Sequence, residues 1–231
     1  MLKLVLWDLD GTLVDPAGAI TGSMAKALTE HGFPVPDDAT LRKFIGPPLK
    51  YSLEHYTEVS DEDYDEIITT YRKHYRSHGI ASSKVYPGMR ELLYTLKDYG
   101  VKQALATQKP RTLAEEVLEE FNLRELFDVV STAPDALNAD GPQNTSDKPW
   151  IIRTAISAVE DCVGEHLQEG NAVMIGDRVF DARGAAENNI SSIGVSWGFG
   201  STEELTSEFE QVAGSAVELE RLIKNTLELT T

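Results

Sequence analysis

Two aspartates follow a short apolar run near the start of the chain. Asp8 and Asp10 come directly after residues 2–7, whose composition suits a strand buried on both faces of a sheet, and Gly11 gives the backbone freedom to leave that strand. In open α/β sheets, ligands bind at the carboxyl ends of the strands. Two carboxylates this close repel each other unless a cation lies between them. The pair therefore predicts a metal site, although an ordinary Asp-Gly turn would also explain it.

Two further positions could hold an anion. Thr107 follows the apolar run 101–106, and its hydroxyl could donate to a phosphate oxygen while the backbone N–H groups after it complete a cradle. Lys148 precedes Pro149 at the predicted start of a helix, where the ammonium adds to the partial positive charge of the backbone. A turn threonine and a solvated surface lysine are the simpler alternatives.

The run 172–175 repeats the pattern of the first strand. It is apolar and is followed by Gly176 and Asp177, with Asp181 four residues further on. If a helix begins near Arg178, Asp177 could simply cap it. Mg²⁺ accepts a few carboxylate or carbonyl oxygens and keeps several waters. The carboxylate of Asp8, the backbone carbonyl of Asp10 and the carboxylate of Asp177 could therefore hold one Mg²⁺, with Asp181 near by.

Alternating strands and helices must position these residues. The spacing predicts helices over 89–99, 112–121, 149–163 and 182–188, and strands over 101–106, 127–131, 172–175 and 192–195, with a loop over 133–147. This order indicates an α/β fold with a doubly wound, mostly parallel Rossmann-like sheet. Residues 16–82 instead show helical periods, which predicts a small helical domain inserted into a core formed by 1–15 and 83–231.

Composition narrows the class of function. The chain has 231 residues, with 21 basic and 38 acidic side chains and a net charge of −17, which disfavours binding to nucleic acid or to anionic membranes. Cys162 is the single cysteine, which excludes an intrachain disulfide and fits a reducing compartment. No run is long enough to predict a membrane span. We expect a cytoplasmic protein that is a monomer or a dimer.

The order of the four elements resembles the haloacid dehalogenase (HAD) superfamily of aspartate-nucleophile hydrolases. Asp8-Leu9-Asp10-Gly11-Thr12 resembles the first motif of that family, Thr107 the second, Lys148 the third, and the run from Gly176 to Asp181 the fourth. The inserted helices resemble the small helical cap, of C1 type, in the subgroup of phosphoglycolate phosphatase-like enzymes. The runs 44–49, 87–93 and 197–201 strengthen that placement.

The resemblance implies a role for each residue. Asp8 would attack phosphorus and form an aspartyl phosphate, and Asp10 would protonate the leaving alcohol and later deprotonate water. Thr107 and the backbone N–H of Gln108 would bind the transferring phosphoryl group, and Lys148 would neutralise its charge. Mg²⁺ would be held by Asp8, Asp10, Asp177 and Asp181. Arg178 replaces a small polar residue of many relatives. It could reach a substrate phosphate, but we expect it to pair with Asp15 or Glu187.

These roles predict a Mg²⁺-dependent phosphatase that acts on a small phosphate monoester such as phosphoglycolate. A 5'-nucleotidase and a phosphomutase similar to β-phosphoglucomutase are the alternatives, and a non-catalytic phosphate-binding domain fits least well. Arg42 and Lys43 are the candidate cap contacts to the leaving group of phosphoglycolate, whereas Phe44 or Tyr51 could stack on a nucleobase. Cap core with two solvated bases is an alternative interpretation of residues 42–45.

Overall fold

A computed structural model describes residues 1–16, 18–135 and 147–229. The predicted loop over 133–147 lies mostly outside these described residues. None of the helices in the described part of the chain is both long enough and apolar enough to cross a membrane.

One sheet of six parallel strands forms the centre of the protein. Its order is β5-β4-β1-β6-β7-β8, and every neighbouring pair runs parallel. The strands are β1 (Leu4–Trp7), β4 (Lys102–Pro110), β5 (Val129–Ala133), β6 (Ala172–Gly176), β7 (Ser191–Val195) and β8 (Gln211–Ala213). The predicted α/β fold with a mostly parallel sheet is thereby confirmed.

Helices cover both faces of this sheet. They are α6 (Met89–Asp98), α7 (Arg111–Glu120), α8 (Lys148–Val163), α9 (Val179–Glu187), α10 (Thr202–Glu208) and α11 (Ala216–Thr226). Alternate residues of β1 enter different cores, because successive side chains of a strand point to opposite faces. Val5 and Trp7 pack in the cluster that contains α6, α7 and α11, whereas Leu4 and Leu6 pack in the cluster that contains α8.

Helices dominate the chain between β1 and β4. A two-stranded antiparallel ribbon, β2 (Val14–Asp15) with β3 (Lys84–Val85), joins the two ends of this segment. Between them lie α1 (Ala19–Glu30), α2 (Asp38–Arg42), α3 (Leu49–Tyr56), α4 (Tyr64–His74), a π-helical turn (Tyr75–Gly79) and α5 (Ile80–Ser82). We call residues 19–82 the helical insertion. Ile20, Met24 and Leu28, which recur at helical spacing on α1, are buried.

Short elements differ most from the sequence-based prediction. β4 continues through Thr107 to Pro110, with a register shift between those two residues, whereas the sequence pattern ended it at residue 106. Neither α10 nor β8 was predicted. β8 has three residues, and so short a run offers too little periodicity to distinguish a strand from a loop.

We expect Leu6→Ala to destabilise the fold strongly. Leu6 lies in the central strand and has no exposed surface. Truncation of such a side chain removes apolar contacts and leaves a cavity, so the free energy of unfolding should fall by about 2–5 kcal/mol in urea denaturation. Val217→Ala is the control, because this side chain is 80% exposed, and its effect should stay within about 0.5 kcal/mol. Equal effects of the two substitutions would contradict the assignment of β1 to the core.

Candidate active site

The carboxyl ends of three neighbouring strands bring the predicted site residues together. β1 lies between β4 and β6, so Asp8, which follows β1, is next to Asp177, which follows β6. The backbone N–H of Asp8 donates to the carbonyl of Ile175 at 2.9 Å, which fixes this register. Thr107 lies on β4, on the other side of β1.

A tight turn follows Asp8. The carbonyl of Leu9 accepts hydrogen bonds from the N–H groups of Leu13 at 2.9 Å and Val14 at 3.0 Å. Gly11 makes the turn possible, because its φ of +86° is in the left-handed region and a Cβ there would overlap the carboxylate of Asp177. The strand pairing thus stops at Trp7, and Asp8 and Asp10 lie in the turn rather than on a continuing strand.

Three carboxylates form a buried cluster. Asp8, Asp177 and Asp181 each offer an oxygen, and these oxygens lie within 4.8 Å of one another. Asp177 accepts a hydrogen bond from the backbone N–H of Phe199 at 2.7 Å. Asp181 accepts one from the backbone N–H of Arg178 at 3.1 Å, so Asp181, not Asp177, caps the first turn of α9. The structure thus favours the metal interpretation of Asp177 over the helix-cap alternative.

Lys148 joins two of these acids. At the start of α8, its Nζ donates to Asp8 Oδ1 at 2.6 Å and to the carbonyl of Ala106 at 2.8 Å, and it lies 2.6 Å from Asp181 Oδ1. The side chain is 4% exposed. Burial disfavours the charged ammonium, but the carboxylates of Asp181 and Asp8 outweigh that effect and raise the pKa of Lys148 to about 12. Lys148 is therefore a permanent cation beside Asp8.

The charge of the cluster fits a divalent cation. Burial, followed by the neighbouring charges of Asp8 and Asp181, raises the pKa of Asp177 well above its ordinary value of 3.8. Burial also raises the pKa of Asp181, although Lys148 opposes this effect. When all three carboxylates are ionised, they outnumber the one ammonium by two negative charges. Hard oxygen donors with this excess of charge suit Mg²⁺.

Asp10 has a different partner. Its Oδ2 accepts a hydrogen bond from Lys109 Nζ at 2.5 Å, and both side chains are buried. Asp10 is not among the carboxylates of the metal cluster within the described residues, which is consistent with metal contact through its backbone alone. Sequence reasoning missed Lys109 as a site residue. The sequence pattern ended β4 at residue 106, so it gave no strand periodicity that could have placed Lys109 on the same face as Thr107.

Thr107 and Gln108 line the same cavity as Asp8 and Asp10. The backbone N–H of Lys109 donates to Thr107 Oγ1 at 3.3 Å. Because this contact uses the hydroxyl oxygen as acceptor, the O–H proton can still be donated to an anion. The structure thus brings Asp8, Asp10, Thr107 and Gln108 to one cavity, with Lys148, Asp177 and Asp181 grouped around Asp8.

The cavity has a volume of about 320 Å³ and lies between the core and the helical insertion. Arg42 and Lys43, the predicted leaving-group contacts, do not line it and are exposed instead. The cations of the insertion that do line it are Lys50, near the start of α3, and Arg72, near the end of α4. Its apolar lining comes mainly from Ile20, Phe44, Leu49, Ile68, Tyr71 and Leu113.

Arg178 pairs with a residue that the sequence did not indicate. Its Nε donates to Glu204 Oε1 at 3.1 Å, and its Nη1 donates to the carbonyl of Ile45 in the helical insertion at 2.8 Å. The predicted ion pair is present, but Asp15 and Glu187 were the wrong partners. Glu204 lies on α10, an element that was not predicted, so its proximity could not be anticipated.

Comparison with known proteins agrees with this geometry. A family model described as haloacid dehalogenase-like hydrolase matches residues 5–195. A 5'-nucleotidase of Pseudomonas aeruginosa is 35% identical over 201 residues, which cover 87% of this chain and 86% of the relative. A phosphoglycolate phosphatase of Aquifex aeolicus is 28% identical, covering 86% of both chains.

Two other relatives extend the comparison. The tyrosine-protein kinase PtkA of Mycobacterium tuberculosis is 31% identical over 95% of this chain and 71% of its own length. The crystal structure of a predicted phosphatase from Clostridium acetobutylicum covers 97% of this chain and 100% of its own, with a TM-score of 0.85 and 38% identity. The resemblance drawn from the four motifs is thereby confirmed at the level of the family.

We expect Mg²⁺ to stabilise the protein more at about pH 7.5 than at about pH 5.5. A carboxyl whose pKa is raised in the folded state binds its proton more tightly there than in the unfolded chain. Without metal, the contribution of Asp177 to stability is therefore complete below its ordinary pKa of 3.8 and is lost as the pH rises through the raised value. A bound cation removes this penalty by compensating the ionised carboxylates.

Thermal unfolding in EDTA and in Mg²⁺ measures the effect. An ion at about 100 times its dissociation constant adds about 2.7 kcal/mol, which raises the Tm of a chain of this size by roughly 5–10 °C. This shift should be larger at the higher pH, and Asp177→Asn should abolish most of it. A Tm unaffected by Mg²⁺ at both pH values would contradict the metal assignment.

Proposed function

Because the chain belongs to the haloacid dehalogenase-like hydrolase family, we propose that it is a Mg²⁺-dependent phosphomonoesterase acting through an aspartyl phosphate on Asp8. Its substrate is a small phosphorylated metabolite. The observation that carries this proposal is the contact of the Lys148 ammonium with Asp8 Oδ1 at 2.6 Å, beside two further buried carboxylates. A carboxylate that contacts a cation able to neutralise phosphate is well placed for nucleophilic attack on phosphorus.

The first half-reaction uses both aspartates of the opening motif. An oxygen of Asp8 attacks phosphorus, the bond from phosphorus to the leaving oxygen breaks, and that oxygen takes a proton from Asp10. Lys148 remains charged throughout and offsets the charge of the phosphoryl group, while Thr107 donates its O–H to a phosphoryl oxygen. Asp8, Asp177, Asp181 and the backbone carbonyl of Asp10 would hold Mg²⁺, which when bound supplies positive charge to the same phosphoryl oxygens.

The second half-reaction restores the enzyme. Asp10, now ionised, takes a proton from water as the water oxygen attacks phosphorus, and the bond from phosphorus to Asp8 breaks. Phosphate leaves, and Asp10 carries the proton needed for the next turnover. In a phosphomutase the phosphoenzyme would instead transfer its phosphoryl group to a sugar phosphate.

We propose that residues 16–82 act as a cap over the single core domain formed by 1–15 and 83–231. We also propose that this cap selects the leaving group. The cations Lys50 and Arg72 support a leaving group that carries a carboxylate, as in phosphoglycolate. The volume of about 320 Å³ and the rings of Phe44 and Tyr71 support a larger, flat leaving group, as in a nucleoside monophosphate. The 5'-nucleotidase among the relatives adds support to this second candidate.

Replacing the nucleophile should abolish turnover. Asp8→Asn retains the shape of the side chain but removes the charge that attacks phosphorus, so kcat should fall on the order of 10⁴-fold or more. Turnover is measured as phosphate release, with Mg²⁺ and with EDTA. The substrates are phosphoglycolate, nucleotides, sugar phosphates and phosphotyrosine. Glu203→Gln, a change on the first turn of α10 away from the cavity lining, is the control. Unchanged turnover by Asp8→Asn would rule out the aspartyl phosphate.

Two further substitutions separate the leaving-group classes. If a carboxylate is bound by Arg72, Arg72→Met should raise KM for phosphoglycolate by about 10-fold, the loss of one charged contact, with kcat little changed. If a nucleobase lies against Phe44, Phe44→Leu should raise KM for AMP by about 5–10-fold through the loss of an aromatic contact.

The phosphomutase alternative is tested with a hexose 1-phosphate in the presence of the priming hexose bisphosphate. Conversion to the hexose 6-phosphate without release of phosphate would replace the hydrolase proposal.

A further inference from the structure

Lys109 is buried between the catalytic motif and the helical insertion. Its ammonium donates to Asp10 Oδ2 at 2.5 Å, and the side chain is only 6% exposed. On another side, the same ammonium lies 4.6 Å from the centroid of the Tyr75 ring. A cation over an aromatic face is attracted by the negative face of the ring, and desolvation strengthens that attraction. Lys109 thus has two defined partners, one in the core and one in the insertion.

The Tyr75 ring is itself held in place. Tyr75 begins the π-helical turn that follows α4, and it is 1% exposed. Its ring stacks on that of Tyr71, with centroids 5.8 Å apart and planes at 19°. Gly79, at the end of the same turn, packs against it, because a Cβ on Gly79 would come within 2.9 Å of Tyr75 Cδ2. π-helical turns are rare and occur frequently at functional sites.

The two oxygens of Asp10 have different surroundings. Oδ2 accepts the charged hydrogen bond from Lys109, whereas Oδ1 is buried and has no hydrogen-bond partner within the described residues. An oxygen that already accepts from an ammonium is the poorer place for a proton. Oδ1 is therefore the oxygen available for a proton that Asp10 transfers. This oxygen is also the one left to contact a leaving group in the cavity, which Asp10 lines.

We propose that Lys109 is a positioning residue that directs Oδ1 of Asp10 toward the leaving-group oxygen, and that the Tyr75 ring holds Lys109 in that position. This inference rests on the proposed function, because it assigns a role in the leaving-group step. The proton passes from Asp10 Oδ1 to the leaving oxygen as its bond to phosphorus breaks, and Lys109 keeps its own protons. Without Lys109, the Asp10 carboxyl can rotate, and Oδ1 is no longer held toward the leaving-group oxygen.

The choice of leaving group distinguishes a positioning role from a merely structural one. If Lys109 positions Asp10, its loss should affect only substrates whose leaving oxygen needs a proton. Phosphoglycolate and AMP are alkyl esters whose leaving oxygen needs a proton, whereas p-nitrophenyl phosphate releases a weakly basic phenolate that departs without one. The ratio kcat/KM reports the steps up to the first irreversible one, so it isolates departure of the leaving group from later hydrolysis of the aspartyl phosphate.

Lys109→Met should lower kcat/KM for the alkyl ester by about 100-fold, the scale of a catalytic group displaced by about 1 Å. For p-nitrophenyl phosphate the loss should stay below about 3-fold, because proton transfer contributes little there. Tyr75→Leu removes the ring but keeps Lys109, and should give the same selectivity with a smaller loss of about 10-fold on the alkyl ester. If Lys109→Met does not fold, Tyr75→Leu alone tests the proposal.

A matched control and a double-substitution cycle complete the experiment. Lys102 lies on the same strand and pairs with Asp128 at 2.7 Å, but this pair is more exposed and lies away from the cavity, so Lys102→Met should leave the ratio between the two substrates unchanged. In the background of Asp10→Asn, Lys109→Met should cause no further loss on the alkyl ester, because two residues that act as a unit are not additive.

The outcomes distinguish three situations. Equal losses on alkyl and aryl substrates would overturn the positioning role, because a cation that only attracts the phosphate acts on both esters alike. Full additivity of Lys109→Met with Asp10→Asn would overturn it as well. A wild-type protein that releases no phosphate from either class with Mg²⁺ would instead overturn the proposed function, irrespective of Lys109.

Discussion

Four carboxylates lie buried at one edge of the sheet, and their charge is the constraint on which the surrounding structure depends. Asp8, Asp10, Asp177 and Asp181 are each less than one tenth exposed. An unpaired buried charge is unfavourable by several kcal/mol, so about that much must be recovered for each acid. Two buried ammonium groups supply part of this compensating free energy. Lys148 lies between Asp8 and Asp181, and Lys109 pairs with Asp10. A divalent cation held by Asp8, Asp177 and Asp181 would offset the remaining excess of negative charge.

The parallel sheet explains how acids distant in sequence meet. β1 has β4 on one side and β6 on the other, and all three strands end at the same edge. Each strand delivers its polar residue at its carboxyl end, where the apolar core stops. The backbone allows a close approach because Gly11 and Gly198 lie against Asp177, where a Cβ would overlap its carboxylate. Local turn chemistry and long-range strand order therefore build the cluster together.

The same edge of the sheet meets the helical insertion. Arg178, next to Asp177, donates to the carbonyl of Ile45, and Lys109, next to the phosphate-binding candidate Thr107, contacts the ring of Tyr75. Contacts of this kind connect the elements that carry the proposed site residues with the helices that line the cavity. The insertion thus supplies both part of the cavity wall and partners for core residues.

The fold class, the family and most of the residues proposed for the chemistry could be predicted from the sequence, whereas Lys109 could not. Buried strands, turns and capping positions have local signatures, and Asp8, Thr107, Lys148 and Asp177 each follow or precede such an element. The folded structure, by contrast, was needed to show which side chains pair. The partners Asp10 with Lys109 and Arg178 with Glu204 are 99 and 26 residues apart. It also decided that Lys50 and Arg72, not Arg42 and Lys43, line the cavity. The physical reason is that side-chain contacts depend on how whole helices pack, which local periodicity does not encode.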